Sequence, residues 1–227
     1  MPLGRKVAEE DICEADVVIY VISRISGEGK DRRKVKGDYY LSEREEEDLR
    51  YLAEMNKPVI LILNAGGPVE LTDILEQTDN IKGILNISQL GQEGGDALAD
   101  VLLGKEVPGG KLTTTWARRY EDYPASEEYG YLNGNLEKEK YKEGIYVGYR
   151  YFDSFDKKVM FPFGFGLSYT MFEMKCCSIN MEESKIRAEV QVTNTGNEYA
   201  GKEVVQIYVT LPQTETGKKE YKETGRF

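Results

Sequence analysis

Two runs of nearly unbroken aliphatic sequence dominate the first third of the chain, residues 15–22 (ADVVIYVI) and 58–64 (PVILILN). Runs of this length, rich in β-branched residues and without polar alternation, predict strands buried on both faces, the usual condition of a parallel sheet. Between them, residues 41–55 carry a helical period. Ser42 and Glu45 stand at capping-box spacing, and Leu49, Leu52 and Ala53 fall on one stripe. The pattern then repeats. Residues 70–76 predict a short helix and 81–87 a third strand. Residues 91–103 predict a helix with Ala97, Leu98, Val101 and Leu102 on one face, closed by Gly104 and Pro108, and 111–115 predict a short fourth strand. Strands alternating with helices in this way specify an α/β fold, a three-layer sandwich whose mostly parallel sheet has helices on both faces.

The period changes after that. Residues 118–144 have no clear pattern and read as a long loop, and segments 145–153 and 160–165 are short, aromatic and strand-like. From Met171 onward the chain alternates as antiparallel strands do, over 172–178, 186–194 and 203–211, with Asn194-Thr195-Gly196-Asn197 as a turn. Two domains are therefore expected: an α/β sandwich over residues 1–170 and a partial antiparallel β-sandwich over 171–227. Three or four strands fall short of the roughly seven that a complete module of that kind needs.

Composition removes several functions. The net charge of −10 argues against a nucleic-acid or anionic-membrane surface, each of which needs a basic patch. No apolar run approaches the roughly 20 residues of a membrane span. Met1-Pro2-Leu3-Gly4 leads straight into charged sequence without a secretory signal, so a cytoplasmic location is expected. Three cysteines (Cys13, Cys176, Cys177) without pattern are neither a disulfide framework nor a zinc site, and read as reduced, buried thiols. There is no histidine. That absence removes Ser-His-Asp and Cys-His nucleophiles, His-ligated metals and His general bases, leaving carboxylates, Tyr, Lys and Arg to carry any chemistry.

Directly after the first aliphatic run comes Ser26-Gly27-Glu28-Gly29-Lys30-Asp31-Arg32. A carboxylate between two glycines at a strand's carboxyl end lies where α/β proteins do chemistry, and glycine lets the backbone approach a ligand closely. Glu28 is the first candidate for a catalytic acid; its bland alternative is a solvated glutamate in a turn.

Four blocks together resemble glycoside hydrolase family 3, the β-glucosidase/β-xylosidase family. They are the Ser-Gly-Glu-Gly-Lys-Asp-Arg loop at 26–32; Gly-Gln-Glu-Gly-Gly with Ala-Asp-Val-Leu-Leu-Gly at 91–104; Glu-Gly-Ile-Tyr-Val-Gly-Tyr-Arg-Tyr-Phe-Asp at 143–153; and Phe-Pro-Phe-Gly-Phe-Gly-Leu-Ser-Tyr-Thr at 161–170, followed by Asn-Thr-Gly and Ala-Gly-Lys-Glu-Val within 194–204. The resemblance implies an α/β sandwich followed by a fibronectin type III-like module. In the family, both accompany a (β/α)8 barrel that supplies an Asp nucleophile, while the sandwich loop supplies the acid/base Glu. Glu28 matches that position. The resemblance thus implies a fragment of a retaining exo-β-glycosidase, foremost a β-glucosidase, acting on terminal β-linked sugars. Its partners would be a β-linked oligosaccharide or glycoside and the barrel of the same parent, without metal or cofactor. The fragment alone is expected to be inactive, with Glu28 an ordinary carboxylate until the barrel's carboxylate lies beside it.

Other readings stand beside this one. The chain could be a non-catalytic carbohydrate-binding or domain-docking module, or an enzyme of its own using Glu28 and Glu93 as a pair. Glu93 has a plainer role in the first turn of a helix, where the macrodipole favours a carboxylate. Asp31 and Arg32 either form a surface ion pair or serve the site, fixing the loop or meeting substrate. Tyr146, Tyr149 and Tyr151, with Arg150, read as packing before sugar stacking. The glycine pairs 66–67 and 94–95 lack the spacing of a nucleotide loop.

Overall fold

A computed structural model of the chain describes residues 9–25, 32–129, 137–138, 140–183, 185–210 and 224–226. The chain divides into two compact units, Met1–Gln92 with Ala117–Glu139 and Glu93–Trp116 with Lys140–Phe227.

The first unit is built on a parallel sheet of order β1-β2-β3, formed by β1 (Val18–Ser23), β2 (Val59–Asn64) and β3 (Ile81–Asn86). Val18 pairs with Val59 and Ile22 with Leu63, and a register shift between Val59 and Ile60 sets Ile60 opposite Gly83. The central strand carries the core: Val59, Leu61, Ile62 and Leu63 are all buried. Helix α1 (Glu9–Glu14) precedes the sheet, α2 (Glu43–Glu54) joins β1 to β2, and α3 (Thr72–Gln77) joins β2 to β3.

Helix α2 forms where the capping box requires. Ser42 accepts from the Glu45 amide at 3.2 Å, and the Glu45 carboxylate accepts from the Ser42 amide at 2.8 Å. It stops at Asn56, whose φ of 52° is the left-handed conformation that asparagine tolerates at a helix end. Leu49 and Leu52, 1% and 4% exposed, are its buried stripe, each worth about 1.5–3 kcal/mol by area. The Tyr20 hydroxyl donates to Asp48 at 3.0 Å, so α2 covers the sheet face that holds Tyr20.

Strand β1 departs from expectation. Alternate residues Ile19 and Val21 are 49% and 50% exposed, so it is not buried on both faces. It stands at the end of the strand order, where covering both faces is hardest. The fourth strand also differs: β4 is only Trp116–Ala117 and does not extend the parallel sheet.

In the second unit, α4 (Gly94–Leu102) begins after Glu93, which is its N-cap and makes no side-chain capping bond. The aromatic segment 145–153 holds a helix, α5 (Tyr149–Ser154), entered through Gly148 at φ 60°. Tyr151 and Phe155 meet at 5.2 Å, the i,i+4 contact that helical spacing makes possible and strand spacing does not. Strand β5 is Val159–Phe161. Strands β6 (Phe172–Glu182) and β7 (Lys185–Asn194) form an antiparallel ribbon. A bulge between Cys176 and Ser178 interrupts it, and Cys13, Cys176 and Cys177 are exposed free thiols rather than buried ones. Of the strand expected at 203–211, the described residues form only β8 (Tyr208–Thr210), paired with β9 (Thr224–Arg226). Upstream of it the Glu203 carboxylate accepts from its neighbour's amide, that of Val204, at 2.8 Å and from Lys111 Nζ at 2.8 Å. A local bond of that kind competes with ladder pairing.

Candidate active site

Because β1, β2 and β3 are parallel, their carboxyl ends share one edge, and the three segments that follow them meet there. Their described residues are 24–25 and 32–41 after β1, 65–71 after β2 and 87–92 after β3. Ser26, Gly27, Glu28, Gly29, Lys30 and Asp31 lie outside the described residues, so of the three site candidates only Arg32 is placed. Glu28 and Asp31 are located by sequence alone, in the segment after β1.

Arg32 does not stand out in solvent. Its Nε donates to Asp38 Oδ1 at 3.0 Å, its Nη1 to the carbonyl of Pro68 at 2.6 Å, and its Nη2 to the carbonyl of Asp38. Its guanidinium also lies 5.9 Å from the centre of the Tyr39 ring. The Pro68 bond ties the segment after β1 to the segment after β2.

At the other end of the loop stands Arg24, a residue that pattern reading passed over. It is 7% exposed and bound on every side. Nη1 and Nη2 donate to the two carboxylate oxygens of Glu45 at 2.8 and 2.7 Å, and Nη1 also reaches the Ser23 carbonyl at 2.9 Å. Nε donates to the Asp38 carbonyl at 2.7 Å and Nη2 to that of Tyr40 at 3.2 Å. Its own carbonyl accepts from Gln89 Nε2 at 3.5 Å, which reaches over from the segment after β3. A charged side chain directly after a buried strand needs a partner, and that was the available signal. The partner, Glu45, is already committed to the capping box, 21 residues away, so spacing does not reveal the pair.

The carboxylates respond to these neighbours. Burial alone would raise the pKa of Asp38, but the Arg33 amide at 2.8 Å, the Arg32 hydrogen bond and both positive charges outweigh it and hold the group below the ordinary carboxylate range. Glu45 behaves the same way: burial pushes it up, while Arg24 and Ser42 bring it lower than an ordinary glutamate.

Beside the anchors lies an aromatic strap from residues 117–129, including a 3-10 turn at Tyr120–Asp122. Tyr39 packs edge-on against Tyr120 at 5.0 Å and Tyr40 at 5.4 Å. Lys34 Nζ lies 2.5 Å from Glu121 and 4.6 Å from the centre of the Tyr120 ring. The Tyr120 amide donates to Glu70 at 2.8 Å, and burial raises the Glu70 pKa despite that bond. Within the long patternless segment, the turn at Tyr120–Asp122 is thus held by aromatic and ionic contacts to Lys34 and Tyr39. In the second unit, Tyr146 meets Phe155 at 4.9 Å and Tyr149 meets Phe163 at 5.3 Å, so these rings serve packing.

A parallel sheet with intervening helices, followed along the chain by antiparallel strands, is the α/β class with a further β module. Residues 4–149 match the model of the glycosyl hydrolase family 3 C-terminal domain, and the chain belongs to that family. It is 39% identical to β-glucosidase A of Butyrivibrio fibrisolvens over 90% of its own length and 29% of that protein's. It is 36% identical to a β-glucosidase of Ruminococcus albus, covering 96% of this chain and 22% of the relative. The structure of β-glucosidase 3B from Thermotoga neapolitana in complex with α-D-glucose superposes with a TM-score of 0.85 at 41% identity, over 97% of this chain and 31% of that one. The chain therefore spans less than a third of the length of these relatives.

Proposed function

We propose that this chain is the acid/base-bearing part of a retaining exo-β-glycosidase, a β-glucosidase by substrate class, in which Glu28 is the general acid/base. The observation that carries the reading is the Ser-Gly-Glu-Gly segment directly after β1 in a chain of family 3. Retaining hydrolysis needs two carboxyl groups about 5–5.5 Å apart. Glu28 protonates the leaving oxygen and then deprotonates the attacking water, while an Asp nucleophile comes from a (β/α)8 barrel in the parent. Asp31 and Arg32, next in the same motif, are the candidate substrate-binding residues. The domain division follows function: residues 1–170 form the sandwich with the loop, and 171–227 begin the fibronectin type III-like module. The names of the relatives support glucose as the terminal sugar.

The test uses the barrel-containing parent, wild type and Glu28→Ala, on aryl β-glucosides with good and poor leaving groups. The variant is expected to lose about 10²–10⁴-fold on poor leaving groups, the usual worth of general acid catalysis, and far less on good ones. Azide is expected to restore turnover on good leaving groups by forming a glycosyl azide. Wild-type rates on every substrate would make this chain a binding or docking module.

A further inference from the structure

Strand β7 alternates without interruption, so Val190, Ala188 and Ile186 share one face of the ribbon. Their ladder partners on β6 are Cys176, Ile179 and Met181, which share that face too. From Cys176 to Ile179 the step is three residues rather than two, because the ladder passes from the Cys176–Val190 pair to the Ser178–Glu189 pair and leaves Cys177 as the inserted residue.

The bulge therefore falls on two adjacent cysteines. In an unbroken strand, successive side chains point to opposite faces, and such a pair is kept apart. Here that separation is lifted, and the thiols turn toward each other along the chain. Cys176 Sγ reaches forward past Cys177 to lie 3.8 Å from the Ser178 carbonyl. Cys177 Sγ reaches back past Cys176 to lie 3.7 Å from the Lys175 carbonyl. Each thiol leans across the other's residue, and both cysteines are exposed and free. Two accessible thiols joined through one peptide unit react as a pair, because the second step is intramolecular.

We propose that Cys176 and Cys177 form a redox modification site, a vicinal dithiol that closes to a disulfide by exchange with a small-molecule disulfide of the glutathione type. One thiolate attacks the small disulfide, forms a mixed disulfide and releases one small thiol. The neighbouring thiolate then attacks the protein sulfur of that mixed disulfide and expels the second small thiol. The protein loses two electrons and two protons, and the small disulfide gains both. The Cα atoms of neighbouring residues are about 3.8 Å apart, short of the roughly 4.4–6.8 Å usual for disulfides, so the closed ring is strained and thiols reopen it readily. The site is a reversible switch on the ribbon, not a staple. The same pair chelates a trivalent arsenical: two As–S bonds form, and the oxygen of phenylarsine oxide leaves as water with the two thiol protons.

The experiment uses the 227-residue chain, kept folded as far-UV circular dichroism reports, with Cys13 as the single-thiol reference. Oxidised glutathione is added, remaining thiols are blocked, and intact mass with peptide mapping locates each product. The expected result is a glutathione adduct on Cys13 and, at 176–177, the loss of two hydrogens without an adduct. In Cys176→Ser and Cys177→Ser, the remaining thiol of the pair is expected to carry glutathione instead. Phenylarsine oxide tests the wild type without any substitution. It is expected to shield Cys176 and Cys177 from alkylation at a concentration about 100-fold lower than Cys13 requires. Stable glutathione adducts on both Cys176 and Cys177 in the wild type would overturn the proposal. So would an unreactive pair beside a reactive Cys13, arsenical shielding no better than at Cys13, or closure that appears only in denaturant.

Discussion

Arg24 and Arg32 both donate to the Asp38 carbonyl, so their two positive charges lie close together and repel. Asp38 and Glu45 offset that repulsion, and their pKa directions record it. Both are lowered in the fold relative to ordinary carboxylates. The unfolded chain therefore binds their protons more readily, and the linkage has one sign: the stability they contribute is present above the ordinary carboxylate range near pH 4 and is lost as pH falls through their lower folded values. Asp38→Asn is expected to cost about 1–3 kcal/mol at pH 7, the worth of hydrogen bonds to a charged group. The gap between wild type and variant is expected to narrow as pH falls below about 4. Denaturant unfolding at a series of pH values measures it, and a gap constant from pH 7 to 3 would remove the linkage. Glu70 runs the other way, since burial raises its pKa. Its contribution is full below the ordinary carboxylate range and falls as pH rises through the folded value.

Among elements, the parallel sheet and α2 were legible because their signals are local and strong: unbroken aliphatic runs, and a cap three residues from its reciprocal glutamate. The errors fell where a distant partner decides. Ile19 and Val21 look as apolar as Ile62, but exposure depends on strand order, which no window of sequence contains. The aromatic residues of 145–155 suit a strand or a helix until Gly148 supplies the turn into α5. At the site, a carboxylate between glycines was visible, while the arginines that bracket it gain meaning only through Asp38. The Phe-Pro-Phe-Gly-Phe-Gly block also gains a physical account. A Cβ on Gly166 would fall on the carbonyl oxygen of Gly110 and lie 3.0 Å from Lys111 Cδ. Lys111 is itself held there by the Gly166 carbonyl at 2.7 Å and by Glu203 at 2.8 Å. Gly166→Ala must move backbone, so it is expected to destabilise by about 1–3 kcal/mol, as overpacking does. Gly110→Ala, with nothing within 4 Å of its Cβ, serves as the comparison and is expected to cost less. Equal melting temperatures for the two variants would contradict the close approach.

At the scale of the molecule, the central strand of the first unit is buried, whereas the β6–β7 ribbon leaves Met174, Ile179, Met181, Ile186 and Val192 exposed. A two-stranded ribbon has no opposing sheet to bury such side chains and is marginal alone. Catalysis has the same character. Double displacement requires a nucleophile and an acid/base about 5–5.5 Å apart. The family 3 reading gives this chain one of the two, and the chain spans 29% of β-glucosidase A from Butyrivibrio fibrisolvens. The 227-residue chain by itself is therefore expected to show no Glu28-dependent hydrolysis of any aryl β-glucoside, even one with a good leaving group. Good leaving groups remove the need for an acid but not for a nucleophile, so they make the sensitive substrates. The measurement is a burst and steady-state assay of the isolated chain beside its Glu28→Ala variant. Turnover that disappears in the variant would mean that both carboxylates lie within these residues, and Glu93 would become the nucleophile to test. Silence in both, with activity in the barrel-containing parent, would assign the second carboxylate to the rest of that protein.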